Sequence, residues 1–381
     1  MSSVLDLADA RTSAPSPAAR GGAGEEPAVH EPIRDALTRP LRDLRISVTD
    51  RCNFRCVYCM PKEIFGRDFV FMHGDQLLSF DEIERFSRIA VDLGVEKLRL
   101  TGGEPLLRKG IVELVERLRR LRTPDGREID IALTTNGSAL AHLAPALKEA
   151  GLDRITVSLD SLDDDVFQAM NGVNFPVGKV LDGIRAAADV GLGPIKINMV
   201  VKRGLNDGDI VSMARYFKGS GYILRFIEFM DVGSTNGWKL DEVVTSDEVV
   251  RRIDEEMPLM AVPPNYPGET ASRYLYKDGE GEIGVISSVS HAFCGSCSRV
   301  RLSADGKLYT CLFATRGHDF KEFMRQEGGC TDEQLSDKLR GIWKVRGDRY
   351  SELRSAKTAI RRTGRSGRSG ERRIEMSYIG G

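Results

Sequence analysis

The sequence has neither a long hydrophobic run nor an excess of one charge. None of its apolar stretches approaches the roughly 18 residues that a membrane-spanning helix needs, which predicts a soluble chain. Its 55 Lys and Arg residues almost balance 56 Asp and Glu residues among 381 positions. Such a balance indicates neither a nucleic-acid-binding protein nor a membrane-surface protein.

The first forty residues lack the apolar core of a secretory signal. They are rich in Ala, Pro, Gly and Arg, and their acidic residues argue against an organelle transit peptide. We predict a disordered extension over residues 1–40. A second low-complexity stretch, basic and rich in Gly and Ser, runs from Arg361 to Arg373 and predicts a flexible tail over residues 361–381. A polyanion-binding tract is the alternative for this stretch.

Cysteine is scarce, and its spacing matters more than its number. Seven cysteines without a secretory signal predict reduced thiols and a cytoplasmic protein. One of them, Cys330, stands alone and is expected to be a buried free thiol. The other six form two separate triplets, which predict two sites: Cys52, Cys56 and Cys59, and Cys294, Cys297 and Cys311.

Between the triplets, short runs rich in β-branched residues alternate with amphipathic segments. The pattern occurs six times, from the run at 44–49 to the run at 223–230. Strands that alternate with helices predict an α/β fold with a parallel sheet and right-handed crossovers. Six units fit either an open doubly wound sheet or a barrel that is not fully closed. The alternation fades after about residue 240, which predicts a boundary within 235–245.

Polar, glycine-rich or thiol-bearing residues follow these predicted strands. The first strand is followed by DRCNFRC, the second by GGEP and the third by NG. In both architectures functional groups collect at the carboxyl ends of the strands. We therefore expect the site at this edge of the sheet.

The first triplet has three thiols but no evident fourth ligand. Structural zinc takes four protein ligands, and His73 is poorly spaced to be the fourth. A 4Fe-4S cluster normally uses four thiolates, so three of them leave one iron open to a small molecule. The spacing favours a cluster with an open iron over zinc.

Zinc competes more strongly at the second triplet, where His291 or His318 could supply the fourth ligand. The arginines beside this triplet argue against zinc. Arg299 and Arg301 alternate on one predicted strand directly after Cys297, so both guanidinium groups point to the same face. Cations beside a cluster with an open iron suit an anionic substrate.

Two further arginines occupy predicted strands between apolar neighbours. Arg45 lies in LRISVT and Arg99 lies in KLRLT. Since arginine is rarely buried without an anionic partner, both residues indicate an anionic ligand. A structural salt bridge or an arginine that reaches the surface is the alternative for each.

The Cys-x3-Cys-x2-Cys spacing, with Tyr58 before the last cysteine and GGEP after the next strand, resembles the radical S-adenosylmethionine superfamily. With LTTNG, SLDSL, RFIEFMDVG, FCGSCSRVRLSADGKLYTCLF and the terminal Gly380–Gly381 pair, residues 40–381 resemble more narrowly the GTP 3',8-cyclase family of molybdenum-cofactor biosynthesis. The resemblance implies an incomplete (β/α)6 triose-isomerase-like barrel over 41–240. It also implies a C-terminal region over 241–360 that carries a second cluster and covers the barrel mouth.

The resemblance also implies roles for individual residues. Lys196 departs from the family pattern by one residue of spacing. The expected ligands of the radical-generating 4Fe-4S cluster are Cys52, Cys56 and Cys59, and those of a second 4Fe-4S cluster, which contacts the purine, are Cys294, Cys297 and Cys311. The expected S-adenosylmethionine contacts are Tyr58, Gly103, Ser158 and Met230. The expected GTP contacts are Arg45, Arg99, Thr134, Lys196, Arg225, Arg299 and Arg301, and the residues expected to support catalysis are Arg299, Arg301, Gly380 and Gly381.

The activity that the resemblance implies is the first step of molybdenum-cofactor biosynthesis. A 5'-deoxyadenosyl radical takes the C3' hydrogen of GTP, and the C3' radical adds to C8 to give 3',8-cyclo-GTP. The implied partners are GTP, an electron donor and a downstream cyclic pyranopterin monophosphate synthase, with a homodimer expected and neither nucleic acid nor membrane. A peptide-modifying radical enzyme with an auxiliary cluster and a non-catalytic zinc-binding module are the alternatives.

Overall fold

The computed structural model describes residues 31–354 and 373–380 of the chain. Strands and helices alternate up to about residue 230, as the sequence pattern predicts. The strands are β1 (Asp43–Ser47), β2 (Lys97–Thr101), β3 (Asp130–Thr135), β4 (Arg154–Ser158), β5 (Ile195–Val201), β6 (Ile223–Glu228), β7 (Leu259–Val262), β8 (Ser272–Tyr276), β9 (Glu282–Ile286), β10 (Arg299–Leu302), β11 (Lys307–Tyr309) and β12 (His318–Asp319). The helices are α1 (Phe80–Asp92), α2 (Ile111–Arg119), α3 (Leu140–Glu149), α4 (Asp164–Asn171), α5 (Val177–Asp189), α6 (Ile210–Phe217), α7 (Ser246–Asp254), α8 (Lys321–Arg325), α9 (Asp332–Lys344) and α10 (Met376–Ile379).

The sheet is parallel through its centre and antiparallel at both edges. Strands β1 to β6 pair in chain order, and all five pairings are parallel. Strand β10 pairs in parallel with β1, and β9 pairs in parallel with β6. The antiparallel strands β11 and β12 extend one edge, while β8 and β7 extend the other. The prediction of an α/β fold built on six strand–helix units is confirmed.

The parallel part of the sheet is curved into a partial barrel. In a flat sheet the outermost of eight strands would be roughly 34 Å apart. Yet Ile286, at the end of β9, and Arg299, at the start of β10, line the same cavity. The sheet must therefore curl around that cavity. Strands β9 and β10 do not pair in the sheet order, so the barrel is left open between them.

Side-chain alternation sorts the residues of each strand between core and cavity. In β5, Ile195, Ile197 and Met199 are buried, and the residues between them are only partly buried. Successive side chains of a strand point to opposite faces, so Asn198 and Val200 both point into the cavity, which they line. The apolar set packs outward against the helices and forms the core.

The helices bury one face each against the sheet. Helix α1 begins at a capping box, in which Ser79 and Glu82 each bond the other's backbone, and it buries Ile83, Phe86 and Ala90. Among the helices that the structure describes, none is both long and apolar enough to cross a bilayer.

The C-terminal half of the chain shares the sheet of the N-terminal half. The regular alternation ends with β6, close to the predicted boundary, but β9 and β10 continue the sheet at its two edges. These two strands bracket the six that precede them. The predicted division at about residue 240 marks the point where the regular sequence pattern ends. The hydrogen-bonded sheet continues across this boundary, because β9 and β10 belong to it.

The described chain begins inside the predicted N-terminal extension. Residues 1–30 lie outside the described residues, but residues 31–40 pack on the barrel. The Ile33 amide donates to the Leu93 carbonyl at 3.1 Å, and the Leu41 amide donates to the Ile33 carbonyl at 2.9 Å. Asp35 and Arg39 are both buried. The folded body therefore starts about ten residues earlier than the composition suggests.

A buried ion cluster joins this segment to the end of the C-terminal half. Asp35 Oδ2 lies 2.6 Å from Arg39 Nε and 3.0 Å from Arg346 Nη1. All three side chains are at most 2% exposed. One carboxylate thus compensates two buried guanidinium groups from opposite parts of the sequence.

We predict that Asp35→Ala lowers the free energy of unfolding by about 3–5 kcal/mol, because it removes the carboxylate of buried Arg39 and leaves buried Arg346 with only the longer contact to Asp348, at 3.5 Å. The midpoint of urea unfolding, followed by the fluorescence of the two tryptophans, measures the change. The matched control is Asp332→Ala, which also removes a carboxylate bonded to two arginines, Arg85 and Arg88, but one that is 47% exposed. The control should cost about 0–1 kcal/mol. Equal costs for the two variants would contradict the prediction.

Candidate functional site

One cavity inside the partial barrel collects most of the predicted site residues. It is lined from all eight parallel strands or from the residues that directly follow them. Lys196 and Gly380 are absent from its lining, and Gly381 lies outside the described residues. The predicted residues that line it are Cys52, Cys56, Cys59, Tyr58, Gly103, Ser158, Met230, Arg45, Arg99, Thr134, Arg225, Cys294, Cys297, Cys311, Arg299 and Arg301.

The first cysteine triplet sits in the loop after β1. The amides of Cys59 and Met60 both donate to the Cys56 carbonyl, at 3.0 and 2.9 Å, which makes a tight turn between the second and third thiols. Burial, followed by the charge of Glu104, raises the pKa of Cys52 to about 11. Burial also raises the pKa values of Cys56 and Cys59, and the nearness of the other thiols adds to the effect.

The raised pKa values of the three thiols help to decide which kind of metal centre the first triplet can bind. At neutral pH the three thiols are protonated in the ligand-free chain, and thiolates would form only with a bound cation. In the described residues no three His, Cys, Asp or Glu side chains converge on a point that would suit a single ion. A cubane cluster binds each thiolate through a different iron, so its ligands need not converge on one point. Three thiols without a fourth ligand therefore fit a cluster better than zinc.

The two glycines of GGEP let the end of β2 lie against the cysteine loop. The Gly103 amide donates to the Thr49 carbonyl at 2.8 Å, and the Glu104 amide donates to the Arg51 carbonyl at 2.8 Å. Gly102 has φ +149°, and a Cβ on it would overlap the Thr49 carbonyl oxygen. A Cβ on Gly103 would overlap the Arg51 carbonyl in the same way. Side chains at these positions would push the two loops apart.

Glu104 ties the end of β2 to the end of β3. Its carboxylate accepts from Thr135 Oγ1 at 2.7 Å, from the Asn136 amide at 2.7 Å and from the Leu106 amide at 3.0 Å. Burial raises its pKa to about 7. Asn136 in turn donates to Asn53 Oδ1 at 2.9 Å in the cysteine loop. The sequence analysis gave a role to the glycines of GGEP and missed the glutamate, although it lies in the same motif.

Tyr58 is held by a buried carboxyl group at the end of β4. Its hydroxyl donates to Asp160 Oδ2 at 2.9 Å, and Asp160 Oδ1 accepts from the Val200 amide at 2.9 Å. Burial raises the pKa of Asp160 to about 7. Asp160 lies two residues after Ser158 in SLDSL, yet the sequence analysis named only the serine.

Three arginines form a row across neighbouring strands. Arg301 of β10 is paired in register with Arg45 of β1, which is paired with Arg99 of β2. Burial and the other guanidinium groups lower the pKa of Arg45 well below its usual value. Burial and Arg299 lower the pKa of Arg301 to about 10. The row is therefore a concentrated positive charge inside the barrel.

Neutral side chains orient two of the cavity's arginines without cancelling their charge. Arg99 Nη1 donates to Thr134 Oγ1 at 3.1 Å and to Thr156 Oγ1 at 3.3 Å. Arg225 Nε donates to Asn198 Oδ1 at 3.0 Å. Burial, with Arg99 next, lowers the pKa of Arg225 to about 10. Buried cations with neutral partners fit an anionic ligand.

Lys196 lies beside this cationic group but outside the cavity lining. On β5 it precedes Asn198 by two residues, nearer the amino end of the strand, and it pairs with Thr156 of β4. Burial, followed by Arg225, lowers its pKa to about 8. Its position extends the positive charge towards the amino ends of the strands.

The second triplet lies before and after β10, where two arginines approach one sulfur. Arg299 Nη2 is 3.4 Å from Cys297 Sγ, and Arg346 Nη2 is 3.2 Å from it. Burial would raise the pKa of Cys297, but Arg299 and Arg346 outweigh it and lower the pKa to about 6. Burial raises the pKa of Cys311 to about 11. The sequence analysis missed the contact between Arg346 and Cys297, because the two residues lie far apart in the sequence.

The histidines proposed as zinc ligands are not in this site. His291 is exposed beside Ser290, and His318 is exposed on β12. Neither lines the cavity. Cys330, the isolated thiol, precedes α9 and does not line the cavity either.

The C-terminal residues return to the cavity. Met376 lines it, and the Gly380 carbonyl accepts a hydrogen bond from Arg301 Nη1. The Glu375 carboxylate anchors this segment by accepting from the Ser234 amide at 2.9 Å. Gly380 has φ +73°, and a Cβ on it would overlap the Thr101 methyl group. Only glycine fits this position without strain.

Comparisons with known protein families match both halves of the chain. The Radical SAM superfamily matches residues 46–217, and the Molybdenum Cofactor Synthesis C family matches residues 222–352. A protein of Acidothermus cellulolyticus named GTP 3',8-cyclase is 50% identical over 364 residues, which cover 92% of this chain and 99% of the relative. A protein of Staphylococcus aureus strain MRSA252 with the same name is 48% identical over 352 residues, again covering 92% of this chain and 99% of the relative.

Solved structures resemble the fold at lower sequence identity. The crystal structure of Streptococcus suis SuiB bound to S-adenosylmethionine has a TM-score of 0.56 and 17% identity, and the match covers 83% of this chain and 68% of that chain. The structure of SuiB bound to precursor peptide SuiA has a TM-score of 0.55 and 16% identity, with 82% and 66% covered. At such identities the likeness concerns the fold alone.

Proposed function

The chain belongs to the GTP 3',8-cyclase family of the radical S-adenosylmethionine superfamily, and from that membership we propose that it converts GTP to 3',8-cyclo-GTP in the first step of molybdenum-cofactor biosynthesis. One observation carries the proposal at the level of residues. A single cavity contains two separate three-thiol sites and, with them, a group of arginines (Arg45, Arg99, Arg225, Arg299 and Arg301) for which the described residues show no ion pair to a carboxylate.

Two 4Fe-4S clusters and S-adenosylmethionine are the cofactors of this family, and the two triplets fit them. When bound, the first cluster and S-adenosylmethionine supply the 5'-deoxyadenosyl radical that takes the C3' hydrogen of GTP. Each triplet offers three thiols and leaves one cluster iron without a protein ligand. The residues of the chain then have to position the substrate and exclude water.

The proposed S-adenosylmethionine contacts gather around the first triplet. They are Tyr58, Gly103, Ser158 and Met230, and all line the cavity. Two buried carboxyl groups fix their surroundings, since Asp160 holds the Tyr58 hydroxyl and Glu104 holds the strand end that carries Gly103. Support for this assignment comes from their placement at the end of β4 and in the segments that follow β1, β2 and β6.

The arginine row is the proposed site of the triphosphate. Arg45 and Arg99 of the row, and Arg225 of β6, line the cavity and are partly buried, and the donors described for Arg99 and Arg225 go to neutral oxygens. Guanidinium groups bind phosphate oxygens in bidentate fashion, and several of them can share one triphosphate. Thr134, which orients Arg99, and Lys196, beside Arg225, complete the proposed set.

The second triplet is the proposed site of the guanine. Arg299 lies between Cys297 and the Phe293 ring, with its guanidinium carbon 5.0 Å from the ring centre. Arg301, the β10 member of the arginine row, donates to the Gly380 carbonyl. We assign Arg299, Arg301 and Gly380 to holding the nucleotide between the two clusters. The same role for Gly381 rests on the family resemblance, because this residue lies outside the described residues.

The peptide-modifying alternative has less support. The SuiB structures share the fold at 16–17% identity, whereas a relative named GTP 3',8-cyclase is 50% identical across nearly its whole length. Within the pathway we propose an electron donor and a downstream cyclic pyranopterin monophosphate synthase as partners. A homodimer is proposed from the family and not from a contact seen here.

The proposed activity can be tested directly. After anaerobic reconstitution, the chain should hold about eight irons and eight sulfides. With dithionite, S-adenosylmethionine and GTP, mass spectrometry should find 5'-deoxyadenosine together with an isomer of GTP. Cys294→Ala should keep the first cluster and lose the GTP isomer. Two zinc ions per chain, or cleavage of S-adenosylmethionine without any change in GTP, would contradict the proposal.

The second prediction concerns the C-terminal glycines. Deletion of Gly380 and Gly381, or Gly380→Ala, should leave the iron content intact and lower kcat by roughly 100-fold, because the segment can no longer reach Arg301. The control is Gly178→Ala on α5, where a Cβ would meet open space, and it should retain full activity. Unchanged turnover in the deletion variant would rule out a role for the tail.

The third prediction uses the pKa of Lys196, which burial and then Arg225 lower to about 8. Above about pH 8 the free lysine is largely neutral, and a bound triphosphate would restore its charge, so GTP binding should take up a proton there and not below about pH 7. Calorimetry in buffers of different ionisation enthalpy measures this uptake. The Lys196→Arg variant stays charged and should abolish the proton uptake. Lys179→Arg, at an exposed position on α5, should leave the uptake unchanged. Equal uptake in the Lys196→Arg variant and the unchanged protein would remove Lys196 from the triphosphate site.

A further inference from the structure

We propose that Arg346, positioned by Asp35, donates a hydrogen bond to Cys297 Sγ and thereby raises the reduction potential of the second cluster. The inference rests on the proposed function in one respect, namely that the second triplet binds a 4Fe-4S cluster. We call Asp35, Arg39 and Arg346 the Cys297 clamp. Its members are positioning residues, because they act on the cysteines and not on the substrate.

Arg346 contacts the chain at two of the three cysteine positions of the second triplet with one guanidinium group. Its Nη2 is 3.2 Å from Cys297 Sγ, and its Nη1 donates to the Cys297 carbonyl at 2.8 Å. Its Nε donates to the carbonyl of Thr310 at 3.0 Å, directly before Cys311. The Arg346 side chain is only 2% exposed, so water cannot replace these contacts easily. The guanidinium group therefore fixes the spacing between two of the three cysteines.

Asp35 determines where that guanidinium group lies. Its Oδ2 accepts from Arg346 Nη1 at 3.0 Å and from Arg39 Nε at 2.6 Å. Arg39 Nη1 then donates to the Cys294 carbonyl at 2.8 Å. Through its two arginines, one carboxylate holds the backbone of Cys294 and of Cys297. The indole of Trp343 packs against Arg346, with the guanidinium carbon 4.5 Å from the ring centre.

The contact with sulfur gives this arrangement a consequence beyond rigidity. The potential of an iron–sulfur cluster depends on net charge and on hydrogen bonds to its sulfurs. A buried guanidinium group that donates to a ligand sulfur stabilises the reduced cluster, which carries more negative charge. Arg299 also approaches Cys297 Sγ, at 3.4 Å, but it is a proposed substrate contact as well. Arg346 offers the cleaner test because it is not among the proposed GTP contacts.

The experiment is a dye-mediated redox titration of the reconstituted full-length protein, monitored by electron paramagnetic resonance. The signal of the second cluster is assigned in a background in which Cys52, Cys56 and Cys59 are replaced by alanine. The variants are Arg346→Gln, which removes the charge, and Arg346→Lys, which keeps the charge but cannot make the same set of bonds. The matched control is Arg119→Gln on α2, since Arg119 likewise pairs with a carboxylate and donates to two backbone carbonyls, of Gly151 and Ile129.

In Arg346→Gln the midpoint of the second cluster should move to a more negative potential, and in Arg346→Lys it should move less far in the same direction. The first cluster and the Arg119→Gln control should not move. Transfer of iron from the second cluster to a chelator should be roughly 10-fold faster in Arg346→Gln than in the unchanged protein. Loss of four irons in Arg346→Gln alone, with the first cluster intact, would also support the clamp.

An unchanged midpoint in Arg346→Gln with a fully occupied second cluster would overturn the proposal. If that variant holds neither cluster, Arg346→Lys decides, and a midpoint equal to that of the unchanged protein would overturn it. About four irons and a single signal in the unchanged protein would instead refute the second cluster itself, and with it the premise. Failure of the inference and failure of the proposed function therefore give different results.

Discussion

Buried positive charge without matching carboxylates is the constraint on which the site depends. Arg45, Arg99 and Arg301 are in-register neighbours on three strands, so they cannot separate without breaking the sheet. Burial lowers all three pKa values, and neighbouring guanidinium groups lower those of Arg45 and Arg301 further, which means that the charge of the row opposes folding. A polyanion bound there offsets that cost.

The opening of the barrel explains why distant parts of the chain meet at this cavity. Strands β9 and β10 do not pair, and side chains from the segment after α9 reach both of them. Arg354 donates to the Ser288 carbonyl just beyond β9, and Arg346 donates to the Cys297 carbonyl just before β10. The C-terminal residues add Gly380 against β10. The second triplet thus lies where the sheet supplies no backbone partner and side chains have to hold the loop.

Periodicity was sufficient to predict the six strand–helix units and to place Arg45 in a strand between apolar neighbours, because both depend on local sequence. The pairing of β9 and β10 with opposite edges of the sheet was not accessible, since no local pattern identifies a strand's distant partner. Asp35 and Arg346 are 311 residues apart, and composition placed the former in a disordered extension. Glu104 and Asp160 lie inside recognised motifs, but their tasks depend on burial, which the motif alone does not reveal.

The two thiol sites differ in the charge that surrounds them. Around the first, burial is the largest cause that raises the thiol pKa values, and carboxyl groups come next: Glu104 acts to raise the pKa of Cys52 and Asp160 that of Cys56, while Arg55 acts to lower the pKa of Cys52. Around the second, Arg299 and Arg346 lower the pKa of Cys297. Anionic surroundings disfavour the added negative charge of a reduced cluster, and cationic surroundings favour it. The two thiol sites therefore line one cavity in different electrostatic surroundings, with the substrate's proposed position between them.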